Sequence, residues 1–447
     1  DGNDERLTEF QNLTMIELSS LDRNSTCDLL AGILENQELP VENLASTLWR
    51  KTRGNCLFME QFVHHLEHLQ LLGSTSEDED WNEIDTFIQS VTHSIEDLGD
   101  LIRSRLDALP LVAREVVEHA AIMGNKFHVD YLEKTLLADQ HVDMENLLEL
   151  DLQNQKEYRL FEQVIGVKSG KAELSLDIKS IINALAELSF FVHVEGSIYR
   201  FAHDQLHATV LKTIEAPEEL HWRMGHLLQN IMDQQESKPE SWLFFSIVEH
   251  LNMGSRCITD DDEKLEVAAL TLSAAYKEKR ASAFYPASDY AKQGLALLSG
   301  IEHKWDFYKN ILTKLIMIRA EVAMCCGQTE DCIQSTQEII DHARAHDEIV
   351  PAFILRIRAY GQVAQFAKAV EEGVEVLARL GEIFPKRPNV GSLKNQLVKG
   401  KRRGFGKNKN DLKKLGPMKD EKMKMNMQVL AAIVFYAVRG TEETQKL

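Results

Sequence analysis

A mostly α-helical chain, with one small β-hairpin in its first half and stacked helical hairpins in its second, is what the sequence predicts. Three observations carry that prediction. Apolar residues recur at helical spacing through most of the chain, as in Val41, Leu44, Ala45 and Leu48. The stretch "FVHVEGSIYRF" alternates apolar residues on both sides of Glu195-Gly196 and follows the helical "IKSIINALAELSF", so a hairpin closes a helix there, the arrangement of a winged helix. Beyond residue 216 a pattern of small or compact buried-type residues recurs in Ala287…Ala291…Gly294, Cys332…Thr336…Ile339 and Ala369…Gly373…Val376, with intervals of 45 and 37 residues. Those intervals bracket a loose helical-hairpin repeat near the tetratricopeptide (TPR) period, an architecture that buries a continuous core and offers a long face to partners.

At 447 residues the chain is long enough for roughly three domains. Its net charge of -20 argues against a general nucleic-acid binder, and 44% hydrophobic residues is ordinary for a globular protein. No apolar run approaches the roughly 18 residues of a membrane span. The start, "DGNDERLTEF", lacks a secretory signal and an initiating Met, which suggests a fragment of a cytoplasmic protein. Six cysteines without framework spacing point to reduced thiols.

Element by element, "NLTMIEL" (12–18) is predicted as a single strand whose sheet must come from upstream chain or another molecule. Ser25 and Asp28 are placed like a helix N-cap and its reciprocal acid, before Leu30, Ile33 and Leu34. After Pro40 a second helix carries Val41 to Leu48, and Gly54 is its natural stop, because glycine takes the left-handed conformation that closes a helix. Phe58, Phe62, Leu66 and Leu69 line the next helix, and "GSTSEDEDWNEID" is a surface loop. Helices continue through "VAREVVEHAAIMG" to the hairpin. The domains expected are a remnant of an upstream core (1–22), a helical lid (23–93), a winged-helix domain (94–215) and a TPR-like superhelix (216–447).

Candidate chemistry is sparse. "KGKRRGFGKNKN" resembles a phosphate-binding P-loop only superficially. Five residues separate Gly400 from Gly406-Lys407, Asn408 stands where Ser or Thr would hold magnesium, and no strand precedes it. It is better described as a basic loop, since 399–424 carries 11 Lys and Arg against 3 Asp and Glu. His64 and His68 are one helical turn apart, without a third ligand to complete a zinc motif. "RFAHDQLHATVL" is more informative, because His203 and Asp204 open an amphipathic helix directly after the hairpin. There the pair can cap the helix, or the imidazole can donate to a phosphate.

Taken in order, "LSSLDRNSTCDLLAGIL", "TRGNCLFMEQF", "AAIMGNKF", "YRFAHDQLHATV", "LHWRMGHLL" and "ASAFYPASDYAKQGLALL" resemble the C-terminal two-thirds of the STAND class of signal-transduction ATPases. The likeness is strongest to the ATPase modules between a protein-kinase domain and a histidine-kinase or cyclase domain. The resemblance implies that Leu13 to Leu18 is the last strand of a P-loop core. It implies that Gly54, Asn55 and Cys56 occupy the family's Gly-x-Pro turn against adenine, with Cys56 replacing the proline. It also implies that His203 and Asp204 match the His-Asp motif whose histidine senses the β-phosphate of ADP.

The Walker A lysine and the Walker B acids are absent, so the chain alone is expected not to hydrolyse ATP. ATP or ADP with Mg is expected only where an upstream P-loop core is present. The partners implied are that core, a signalling output domain and a protein on the helical repeats, with a nucleotide-dependent oligomer compatible and membrane and nucleic acid disfavoured. The alternatives are a nucleotide-independent repeat scaffold and, third, a winged-helix transcription regulator, against which the acidity weighs.

Overall fold

The computed structural model describes residues 19–33, 41–68, 97–153, 177–234, 241–384, 394–395, 398–399 and 417–440. The expected strand at 12–18, the acidic loop at 73–85, most of the weakly patterned stretch at 152–174 and the glycine- and lysine-rich loop at 400–410 lie outside these residues. The described chain is mostly helical and divides into two compact units, Asp1–Gln234 and Gln235–Leu447. No helix among the described residues is long and apolar enough to cross a membrane.

The described residues of the first unit begin with helices α1 (Arg23–Ile33), α2 (Val41–Thr52) and α3 (Cys56–His68). The first cap differs from the expectation. Asp22, not Ser25, caps α1, its Oδ1 accepting from the Ser25 amide at 2.7 Å, because the helix begins at Arg23 and puts Ser25 at the third position. The predicted apolar positions do pack together: Leu30, Leu44, Leu48, Phe58, Phe62 and Leu66 form one buried cluster with Leu101 of the next helix.

Helix α4 (Leu98–Asp107) starts in a capping box between Asp97 and Asp100, and α5 (Leu111–Met123) follows Pro110. Next come β1 (Lys126–His128), α6 (Val129–Ala138), α7 (Met144–Gln153), α8 (Ile178–Glu187), β2 (Phe191–Glu195) and β3 (Ile198–Phe201). The strands form an antiparallel sheet in the order β1-β3-β2, with the expected hairpin turning through Gly196 at a φ of +54°. Sequence patterning gives no sign of β1, since three residues are too few to show alternation. Phe127, Phe191 and Phe201, one from each strand, pack edge to face, with centroids 4.9 Å apart for the first two and 5.0 Å for the last two. Helices α9 (Asp204–Thr213) and α10 (Pro217–Asp233) complete the unit, α10 packing on α5 and α6.

The second unit runs α11 (Ser241–Met253), α12 (Asp261–Arg280), α13 (Phe284–Leu297), a single helical turn at Lys304–Phe307, α14 (Lys309–Cys325), α15 (Thr329–His342), α16 (His346–Gln362), α17 (Phe366–Arg379) and α18 (Glu421–Arg439). Three hairpins, α12–α13, α14–α15 and α16–α17, share one turn. Each has a left-handed middle residue, Ser282, Gly327 or Ala364, at a φ of +62°, +75° or +58°. In each, the following amide donates back five residues, from Ala283 to Glu278, Gln328 to Ala323 and Gln365 to Tyr360, at 2.8 to 3.0 Å.

The small-residue pattern falls at the same place in each second helix. Ala287, Cys332 and Ala369 all lie three residues past the helix start, and all are fully buried. Close approach follows. A Cβ on Gly294 would meet the Leu315 side chain at 2.9 Å, and one on Gly373 would collide with the Ile433 side chain.

Candidate functional site

What lies against the glycine turn after α2 is the chain itself. Arg53 and Gly54 are both left-handed, at φ +51° and +78°. Leu21 runs alongside, its amide donating to the Gly54 carbonyl at 2.9 Å and its own carbonyl accepting from Trp49 Nε1 at 3.0 Å. The approach is so close that a Cβ on Gly54 would run into the Leu21 carbonyl oxygen. Asn55 then caps α3, its Oδ1 accepting from the Phe58 amide at 3.0 Å, and Cys56 stands exposed at the first helical position. All six cysteines are free thiols.

His203 caps α9, its Nδ1 accepting from the Gln205 amide at 3.1 Å while the residue stays exposed. With Nδ1 taken up by the cap, Nε2 is the ring nitrogen left to face outward. Asp204 is held from another element: its Oδ1 accepts from Asn125 Nδ2 at 2.8 Å, and the Asn125 carbonyl accepts from the Phe201 amide at 2.9 Å. The pair therefore fastens the end of the hairpin to the turn before β1. The two predicted clusters have separate partners, Leu21 and Thr52 for one and Asn125 and Gln205 for the other, and α4 packs against both α3 and α9.

Arg105 on α4 ties α3 to the segment that follows α8. Buried, it donates to Gln61 Oε1 on α3 and to the Leu188 carbonyl after α8, with its guanidinium 4.6 Å from the Phe190 ring centroid. Burial pulls its pKa down to about 10, with Glu60 opposing, so it stays charged at neutral pH. His64 adds a second tie, Nε2 to Ser189 Oγ at 3.1 Å. Arg105 is absent from the candidates drawn from sequence, yet a signal for it exists there. Leu101, Ile102, Arg105 and Leu106 are buried on one helical face, so an arginine interrupts an apolar stripe.

A second network fastens α10. Asp139 at the end of α6 accepts from Arg223 Nη1 at 2.9 and 3.1 Å and from the His141 amide at 3.0 Å, and its Oδ2 lies 3.6 Å from Nε2 of fully buried His119 on α5. Glu115 Oε1 is 3.1 Å from His119 Nδ1. Burial opposes a charged His119, but Asp139 and Glu115 outweigh it and raise the imidazole to about 9. Against the cost of its own burial, His119 and Arg223 hold the Asp139 carboxyl below its ordinary range.

In the second unit a groove of about 1000 Å³ opens over α15, α16 and α17. Its buried Arg356 bridges Glu372 and Gln337. Burial pushes the Glu372 carboxyl up, and Arg356 pulls it back.

Among curated proteins the chain is similar to the hybrid signal transduction histidine kinase G of Dictyostelium discoideum, 19% identical over 419 residues, 87% of this chain. The chain spans only 12% of that relative's length. No protein-family model matches the chain, and no solved structure matches it. The similarity gives a signalling context at most.

Proposed function

We propose that this chain is the regulatory and sensor portion of a STAND-type signal-transduction ATPase. Partner binding on TPR-like repeats would bias a nucleotide-dependent switch built from the helical lid and a winged helix. The observation that carries this reading is the order of elements. Among the described residues, helix α5, strand β1, helices α6, α7 and α8 and the hairpin β2–β3 follow α1 to α4 and precede the recurring helical hairpins, an order that supports reading a winged helix between a lid and a repeat. The similarity to a signalling histidine kinase supports the context.

Within this reading, lid and winged helix are joined through Arg105, Gln61 and Ser189, the place where closure would be felt. His203 is suited to sensing a phosphate because its cap uses Nδ1 and leaves Nε2–H as the donor, at the positive end of α9. Gly54, Asn55 and Cys56 would present adenine with an exposed thiol side chain in place of a proline ring, an apolar contact without the rigidity. A protein bound along the repeats would shift the equilibrium only by its preference for the open arrangement.

The test is ADP retention in the full-length protein carrying the P-loop core. His203→Ala should speed ADP release, while the cap loss alone costs about 1 kcal/mol of local helix stability. Unchanged release would remove the phosphate-sensing role.

A further inference from the structure

The three hairpins of the second unit turn through one left-handed residue each, and they differ in what that residue presents. Gly327 and Ala364 carry no functional group, whereas Ser282, between α12 and α13, carries a hydroxyl at a φ of +62°. Ser282 is exposed.

The approach to that hydroxyl is basic. Lys277, Lys279 and Arg280 occupy the last turn of α12, so Ser282 ends the run Lys-Arg-Ala-Ser (279–282), with cations two and three residues before it. Arg280 is exposed, and Lys279 meets Glu321 of α14. A partly exposed pair of that kind is worth about 1 kcal/mol or less, so an acidic surface on another protein can take the lysine over.

A protein kinase holds the chain around its target in extended form, so the segment must leave its place without drawing core residues after it. Ala275 and Ala287 are fully buried, and no residue between them is buried. Freeing Lys279 to Ala283 breaks turn hydrogen bonds, among them Ser282 to Lys279 and Ala283 to Glu278, both at 3.0 Å, and uncovers no core. Segments with so little buried surface open at low free energy. Thr52 is the opposite case. It follows Arg50 and Lys51, but it is buried in α2, and its hydroxyl donates to the Leu48 carbonyl at 2.9 Å.

The place also accommodates a phosphate. First-turn amides of a helix lack intrahelical partners, and Ala283, the N-cap of α13, makes no side-chain bond to them. A dianion on the preceding residue would stand at the positive end of α13, two and three residues from Arg280 and Lys279.

We propose that Ser282 is a phosphorylation site for a basophilic serine/threonine kinase, one whose acidic pockets read basic side chains two and three residues before the target. Ser282 Oγ attacks the γ-phosphorus of magnesium-bound ATP. The new O–P bond forms as the bond to the β-phosphate oxygen breaks, ADP leaves, and the hydroxyl proton passes to the kinase's base. This inference rests on the α12–α13 hairpin alone and is independent of a nucleotide switch in the first unit.

The experiment incubates the chain with magnesium-ATP and the catalytic subunit of a cyclic-AMP-dependent protein kinase, a probe for serines preceded by two basic residues at that spacing, and maps phosphate by mass spectrometry of proteolytic peptides. Phosphate should appear at Ser282 and be lost there in Ser282→Ala. Arg280→Ala should slow its appearance on the order of ten-fold, as the loss of one charge pair does, with far-ultraviolet circular dichroism unchanged. Absence of phosphate from Ser282 would overturn the proposal, as would an undiminished rate in Arg280→Ala. Labelling of Thr52 as fast as Ser282 would overturn it too, because the substrate would then be unfolded chain and not the exposed turn.

Discussion

Gly54 and Gly327 have nearly the same backbone, at φ +78° and +75°, yet they answer to different demands. Gly327 sits in open space, with nothing within 4 Å of where a Cβ would stand, and its counterparts in the neighbouring hairpins are Ser282 and Ala364. Its glycine serves a local turn that other residues tolerate. Gly54 is pressed against the Leu21 backbone, so its glycine serves a tertiary contact. The contrast extends to the two units. The first is fastened by single, specific ties such as Asp139–Arg223 and Arg105–Gln61, the second by a turn and a packing pattern used three times.

The largest effect should come from removing one of the specific ties. Asp139→Ala leaves half-buried Arg223 without its carboxylate and fully buried His119 with Glu115 as its remaining acid, and should cost about 3 kcal/mol, measured by urea unfolding followed through tryptophan fluorescence. The same network predicts the pH dependence. His119 is raised from 6.5 to about 9, so its contribution is complete below pH 6.5 and is lost as pH rises through about 9. Asp139 is lowered below 3.8, so its contribution is lost on the acid side as pH falls through that depressed value. Asp139→Asn should flatten the alkaline loss, and an unchanged slope would place the titration elsewhere.

Next in size is Gly54→Ala, expected to cost about 3 kcal/mol because a left-handed alanine must also displace the Leu21 backbone. Hydrogen exchange at the Leu21 amide, which donates to Gly54, reads it directly. Gly327→Ala should be the smallest, about 1 kcal/mol for the left-handed backbone alone. Equal costs at the two glycines, by urea unfolding of each variant, would abolish the distinction between them.

Much of the second unit is legible in the sequence. The intervals of 45 and 37 residues between Ala287, Cys332 and Ala369 are also the intervals between the helix starts at Phe284, Thr329 and Phe366. Local periodicity can reveal such a pattern because each hairpin repeats one solution to one packing problem. The hairpin at Gly196 is visible for a similar reason, as alternation over adjacent residues. The apolar positions of α1 to α3 are visible too, but the first cap is not, since Asp22 and Ser25 are both good capping residues and only the helix start decides between them.

Sequence by itself therefore determined the helical periodicities, the β-hairpin and the recurring small residues, all of which depend on neighbours within a few turns. Tertiary structure alone decided that Leu21 lies on Gly54, that β1 joins the sheet, that Arg105 reaches Gln61 and Leu188, and that Asp139 gathers His119 and Arg223. Ties of this kind join residues far apart in the chain, 84 residues for Asp139 and Arg223 and 125 for His64 and Ser189. The reason is physical: a buried polar group must find a partner wherever the fold brings one, and no spacing along the chain encodes which it will be.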